Sequence, residues 1–329
     1  MKVDRAGIRR DGQITLVSTD GTLLPDAADD LFAPLIGELR IWIGIRYWDW
    51  DEAEALAGED IEWIPVATLV ITNVEQSGAF EYTVAGFDRL WFLSPFVGNY
   101  PIPAGTLTHV ALSALLASQI PTAHLQMDLP ETEFVSGALL YEEQASSLDA
   151  AHALALAMGM ALYADPMGVI TARPEASTED PPVLVFEPGS LSTMMRPSRG
   201  VNAADVKNAI VFTGESPDGS PVRGYAFDDD ASSLTYTSRV GVHSAFESSP
   251  LVRTAGQAQL AASTALQRIL GIAENIVVPI VQNPALESGD VIRVIDPAQE
   301  LDLVLVADAF GITLPDGEQQ IMCRARVLR

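Results

Sequence analysis

The sequence predicts a mainly β chain of the α+β class, with one β-module used twice and a small α/β unit between the copies. Three observations predict this. A phrase recurs near the two ends, as Pro34-Leu35-Ile36-Gly37-Glu38-Leu39-Arg40-Ile41-Trp42-Ile43 and as Pro284-Ala285-Leu286-Glu287-Ser288-Gly289-Asp290-Val291-Ile292-Arg293-Val294-Ile295. Each copy is a turn, a Gly with an acid, then an apolar strand carrying one Arg. The sequel also recurs: an apolar strand (Val66–Ile71 or Leu303–Ala307), a turn through Gly78 or Gly317, and a closing strand (Tyr82–Ala85 or Gln320–Val327). Finally, helical periodicity is confined to a middle stretch and one late segment.

The elements follow in order. Gln13–Val17 alternates as a strand, Asp20-Gly21-Thr22 turns, and Arg40–Ile45 alternates again. Glu81–Ala85 is rich in residues that suit a pleated surface. Seven acids and no base lie between Asp49 and Glu62, which reads as an exposed loop or strand extension. Pro95, Gly98, Pro101, Pro103 and Gly105 mark a boundary. Thr106–Ser118 then fits a helix with a stripe of Leu107, Val110, Ala111, Ala114 and Leu115, ended by Pro121. Ser146 and Asp149 stand at capping-box spacing before a second helix that Gly159 terminates. Met160–Ala164, the turn Asp165–Gly168 and Val169–Ala172 form a hairpin.

Glu175–Pro182 is a linker. Val183–Phe186 and Ala209–Thr213 resume as strands, and Ser216–Pro221 turns. Thr254 and Gln257 form a capping box, followed by a face of Ala258, Ala262, Ala265, Leu266 and Ile269, with Gly271 beyond.

Composition narrows the function. At 329 residues the chain has room for two or three domains, and 48% hydrophobic residues supply a core. No apolar run approaches a membrane span of ~20 residues. The polar start predicts synthesis in a cytoplasm without a signal peptide. A net charge of −25 opposes gripping of nucleic acid, which needs cations on phosphates. Cys323 stands alone, so no internal disulfide or cysteine-rich metal site can form.

Candidate chemistry is sparse. Asp228-Asp229-Asp230 could supply oxygen ligands to Ca²⁺, but it lacks spaced ligands and a distal Glu, and a solvated loop is the better reading. Acids near Trp48, Trp50 and Trp63 could suggest a sugar cleft, yet no two acids are placed face to face, so the tryptophans read as packing on a barrel flank. Thr19–Thr22 lacks the aspartic-protease order. His109, His124, His152 and His243 show no metal-ligand spacing. There is no nucleophile elbow, phosphate loop or dinucleotide fingerprint. The expectation is no enzyme, no catalytic residue, no metal and no cofactor.

Several phrases carry a resemblance: Val201–Glu215, Phe227–Asp230, Thr254-x-x-Gln257-Ala258, Asn283–Ile292, Ala153–Pro174 with Gly159, Leu162, Asp165 and Gly168, and Asp29–Leu39. In this order they resemble actinobacteriophage tail-tip hub proteins. The resemblance covers most of the chain and rests on turns and caps. It implies the hub fold shared with contractile-phage hubs and type VI spike bases: two tube-like antiparallel β-barrel domains with an inserted small α/β domain. The implied division is 1–98, 99–180 and 181–329, the last with helix 254–270.

The implied role is a structural hub of a tail tip in the virion, assembled in the host cytoplasm. Three chains with two similar barrels each would present six surfaces to a tail tube and three to a spike. Implied partners are two further copies, the distal tail protein, the tail tube, a spike or central fibre, and the tape measure protein. An acidic channel would pass DNA without sequence-specific binding. The family brings no catalytic residues. The chain stops at Arg329, so a lysozyme-like or fibre domain is expected on a separate chain. Gly37, Glu38 and Arg40, and beside them Gly289, Asp290 and Arg293, are the candidate strand starts and interface residues. Two alternatives remain: a β-rich carbohydrate-active enzyme, and another tail component such as the distal tail protein.

Overall fold

The fold is that of a computed structural model describing residues 2–4, 9–19, 23–27, 29–46, 61–132, 137–174, 176–189, 192–201, 206–216, 218–249, 252–269, 274–313 and 317–324. The acidic stretch with Trp48 and Trp50, the turn 20–22 and Gly271 lie outside the described residues.

The N-terminal half supplies β1 (Lys2–Asp4), β2 (Arg9–Val17), β3 (Glu38–Arg46), β4 (Ile61–Gln76) and β5 (Glu81–Phe87), paired in the order β1-β2-β5-β4-β3. Alternation decides the faces. Tyr82, Val84 and Gly86 of β5 point inward, and Leu69 and Ile71 of β4 join Val84 in a core. Trp63, expected to pack on a barrel flank, is instead 60% exposed on β4.

The middle of the chain forms a 3₁₀ turn (Arg89–Phe92), β6 (Tyr100–Ile102), α1 (Thr108–Gln119), β7 (Met127–Asp128), β8 (Leu139–Tyr141), α2 (Ser147–Ala157), β9 (Met160–Ala164) and β10 (Ile170–Pro174). Its core joins Leu112, Leu115 and Leu116 of α1 to Ala151 and Leu154 of α2 and to Leu162 and Ile170 of the hairpin. Ser146 caps α2 by accepting the Asp149 N–H at 3.1 Å. The α1 stripe differs from the sequence expectation. Thr108, Ala111, Leu112, Leu115 and Leu116 are buried, whereas Leu107, Val110 and Ala114 are exposed. The helix is apolar on nearly every side, so periodicity could not choose its inner face.

The remainder supplies β11 (Leu184–Phe186), β12 (Ser198–Val201), β13 (Ala209–Glu215), β14 (Pro221–Phe227), α3 (Thr237–Val240), β15 (Ser244–Ser248), α4 (Ala255–Ile269), β16 (Glu274–Val281), β17 (Val291–Asp296), β18 (Leu301–Gly311) and β19 (Glu318–Arg324). Strands β13 to β15 make a sheet of their own, covered by α4. The α4 capping box is complete: Gln257 N–H donates to Thr254 Oγ1 at 3.2 Å, and Thr254 N–H to Gln257 Oε1 at 3.1 Å. Ala258, Ala262, Ala265 and Leu266 are buried as expected, while the Ile269 side chain lies outside the described residues. Gly224 is required beneath α4, because a Cβ there would stand 2.1 Å from the Ala258 carbonyl oxygen.

The second half pairs β12-β16-β19-β18-β17, the same path as β1-β2-β5-β4-β3. The correspondence extends to register. The row Asp11–Phe87–Val70–Glu38 across the first half matches Asn275–Arg324–Val306–Val291 across the second. One residue beyond this row the fourth strand of each path carries a bulge, skipping Thr72 in β4 and Asp308 in β18. Ile71 N–H bonds the Gly37 carbonyl, as Ala307 N–H bonds the Asp290 carbonyl. By bonding, Gly37 therefore corresponds to Asp290, one residue from the match the sequence suggests. β1 also pairs with the C-terminal part of β18, which joins the halves into one sheet.

Candidate functional site

Where the first half, the middle segment and the second half meet, two arginines are buried. Arg10 enters from β2, whose alternation turns it inward. Its backbone N–H bonds Asp88 Oδ2 at 2.6 Å. Its guanidinium donates to Val66 O of β4 at 3.0 Å, to Ala164 O of β9 at 3.2 Å, and to the Glu287 carboxylate. One cation thus ties three regions of the chain. Asp88 completes the corner by capping the 3₁₀ turn through Leu90 N–H at 2.9 Å.

Arg89, on that turn, is 1% exposed. It holds Glu38 in a two-pronged contact of 2.8 and 3.1 Å, and its Nη1 donates to Gln126 Oε1 at 2.9 Å and Gly168 O at 2.8 Å. The planar fork matches the carboxylate and leaves donors for two more acceptors. Gly168 has φ +81°, and a Cβ there would lie 3.0 Å from Arg89 Cζ. Only glycine accepts both the backbone conformation and the approach.

His124 closes the cluster. Its Nδ1 lies 2.9 Å from Glu38 Oε1 and its Nε2 3.2 Å from the Leu35 carbonyl oxygen. Each ring nitrogen thus stands within hydrogen-bond distance of one acceptor. Phe92 stacks on the ring at 5.3 Å. Burial works to raise the Glu38 pKa, but hydrogen bonds and charge from Arg89 and His124 overcome it and hold the carboxyl below its usual range.

The other candidate residues sit elsewhere. Arg40 is exposed and reaches Glu38 Oε2 at 3.5 Å. Gly289, at φ +97°, donates its N–H to Ala307 O. Burial raises the Asp290 carboxyl pKa, against the Glu287 N–H that bonds it. Arg293 makes an exposed pair with Asp302, both contacts at 2.8 Å. Glu38 is therefore brought into a buried cluster, while Arg40 and Arg293 lie at the surface.

Asp228 and Asp230 are held by internal hydrogen bonds, and Asp229 is exposed. Asp228 Oδ2 accepts from Ser233 Oγ at 2.6 Å and Thr235 Oγ1 at 2.7 Å, and Asp230 Oδ1 accepts from Ser232. Among the described residues no three His, Cys, Asp or Glu side chains cluster to hold a metal ion. Cys323 is buried, which pushes its thiol up to about 12.

Sequence reading missed Arg10, Asp88, Arg89, Gln126 and buried Asn208, whose amide bonds Thr235 O, Gly241 O and His243 N–H. One signal was present. Phe87-Asp88-Arg89-Leu90-Trp91-Phe92 sets two adjacent opposite charges inside an apolar run, where each survives only with partners.

A duplicated antiparallel sheet with buried charges locking an α/β insert defines a class of β-rich framework proteins. Solved structures place the fold more narrowly. A tail protein from Neisseria meningitidis is 18% identical, with a TM-score of 0.60 over 97% of this chain and 92% of that one. A 43 kDa tail protein of prophage MuSo2 from Shewanella oneidensis is 12% identical, with a TM-score of 0.55 over 88% and 89%. An Escherichia coli type VI secretion component, described by its similarity to T4 tail proteins gp27 and gp5, is 14% identical, with a TM-score of 0.50 over 96% of this chain and 69% of that one. No family model matches the sequence, and no curated protein matches it. The chain has the fold of these phage tail proteins and of the type VI secretion component.

Proposed function

We propose that this chain is a structural hub and adaptor of a phage-type tail tip. Three copies form a ring of pseudo-sixfold symmetry that joins tail tube and distal tail protein to a central spike or fibre. The chain acts through assembly, without turnover. The single observation that carries it is the duplicated strand path with its shared bulge, since three chains with two such halves count as six. The division 1–98, 99–180 and 181–329 belongs to this reading, with the middle segment as the outer attachment locked by Arg89. Acids lining the channel keep passing DNA from adhering.

The experiment is the mass and symmetry of the purified chain, alone and with a tail-tube or distal tail protein. A trimer with six similar lobes is expected. A stable monomer with glycoside hydrolase activity would end the reading, and a six-chain ring would move it to the distal tail component.

A further inference from the structure

We propose that β12 of one copy adds to the open edge of β4 of a second copy, with Gly200 opposite Glu75 and Val201 opposite Val74. This rests on the ring reading and names the contact that would build it. The warrant is a pairing the chain already makes with itself. β1 leads the first half and lies on β2, and its other edge pairs with the C-terminal part of β18: Lys2 with Gly311, Val3 with Phe310, Asp4 with Ala309. β18 has that edge free because β17 covers only Leu301–Val306.

The second half has the same parts. β12 leads it and lies on β16, with Gly200 opposite Asn275. Asp11 and Asn275 occupy the same row, so Gly200 stands where Lys2 stands and Val201 where Val3 stands. In the first half, β3 covers β4 only from Ile61 to Val70. Asn73–Gln76 is held by β5 on one side and, among the described residues, carries no strand on the other. Gly311 lies five residues beyond Val306, past one bulge, and Glu75 lies five beyond Val70, past the equivalent bulge. Glu75 therefore takes the place of Gly311, and Val74 that of Phe310.

Among the described residues, a strand lies on β1's outer edge and none is paired to β12's outer edge. An unpaired edge of this kind is a template for another strand. The partner that fits is another copy, because only it offers the complementary end. The contact is head-to-tail, so repetition closes a ring where the rotation from copy to copy allows it, and the ring reading sets that number at three.

The test is a disulfide between positions 75 and 200. Glu75 and Gly200 are both exposed, and Cys323 does not compete because its thiol is buried. Opposed residues on antiparallel strands stand about 4.5–5.5 Å apart at Cα, within disulfide reach. A two-residue slip adds about 6.8 Å along the strand and takes the pair out of reach. Oxidation of the Glu75→Cys/Gly200→Cys chain should convert most of it into covalent multimers ending at the trimer, with the 75–200 peptide link found by mass spectrometry. Either single variant should stay uncross-linked, and Glu75→Cys/Ser198→Cys should give at least a tenfold lower yield. A non-covalent trimer without the 75–200 link, or one that prefers 75–198, would overturn the edge pairing and leave the ring reading standing. A chain that stays monomeric by mass at every concentration and never cross-links would overturn both.

Discussion

The two β halves share a strand path, a register and a bulge, yet their corresponding positions carry opposite chemistry. Glu38 opens β3 in the first half, and Val291 opens the corresponding β17 in the second. Glu38 is drawn into a buried cluster with Arg89 and His124, whereas Val291 is buried as an apolar residue. The second half keeps its strand-borne ion pair, Arg293–Asp302, at the surface. The backbone framework thus tolerates either choice. What differs is the neighbour: the strand start of the first half meets Arg89 of the following turn and His124 of the middle segment.

The largest effect that would break this comparison is loss of one buried charge. Arg89→Met leaves the partly buried Glu38 with only His124 and the distant, exposed Arg40, and destabilisation of about 3 kcal/mol is expected in urea unfolding. Glu38→Gln together with Arg89→Met should recover much of it; equal loss in the single and double variants would mean that packing, not charge, holds the junction. Gly168→Ala comes next, at about 1–2 kcal/mol from the left-handed backbone alone, and more where Arg89 must shift. A thermal midpoint unchanged by that substitution would contradict the approach seen at Gly168. Thr254→Ala should cost about 1 kcal/mol through the lost cap of α4, read by the same melt. The smallest effect is expected from Arg293→Ala, whose exposed, salt-screened pair should leave the melting midpoint unchanged. A drop as large as that of Arg89→Met would erase the difference between the halves.

Acid sharpens the same contrast. The folded-state pKa of Glu38 is lowered, so its contribution is present above the unfolded value of about 4.3 and is lost as pH falls through the folded one. Asp290, in the second half, is raised, so its contribution is full below the unfolded value of about 3.9 and is lost as pH rises through the folded one. Urea midpoints measured from pH 7 to pH 3 should therefore converge for wild type and Glu38→Gln as the pH falls. Asp290→Asn should change the slope in the opposite sense. Parallel curves for all three proteins would contradict both assignments.

Much of the framework was legible because strands and caps are local. The repeated phrase located β3 and β17, and the Thr254–Gln257 spacing located the start of α4, since both signals lie within a few residues of the structure they specify. The α1 stripe was not legible, because Thr-His-Val-Ala-Leu-Ser-Ala-Leu-Leu-Ala offers apolar residues all round and leaves the choice of face to its partners. Of the candidate site residues, Glu38 was singled out for its place in a phrase. Its partners Arg89 and His124 are 51 and 86 positions away in sequence, and nothing local ties them to it.

The sequence by itself determined a mainly β chain, a duplicated module, the helix caps and the absence of recognisable catalytic motifs. These follow from side-chain periodicity and turn chemistry, which act over a handful of residues. Only the tertiary structure decided that the repeat is offset by one residue at the strand start, that β1 stitches the halves into one sheet, and which charges are buried together. Those outcomes depend on which distant surfaces exclude water from each other. An arginine reads the same in sequence whether it faces solvent, like Arg293, or holds three segments together, like Arg10.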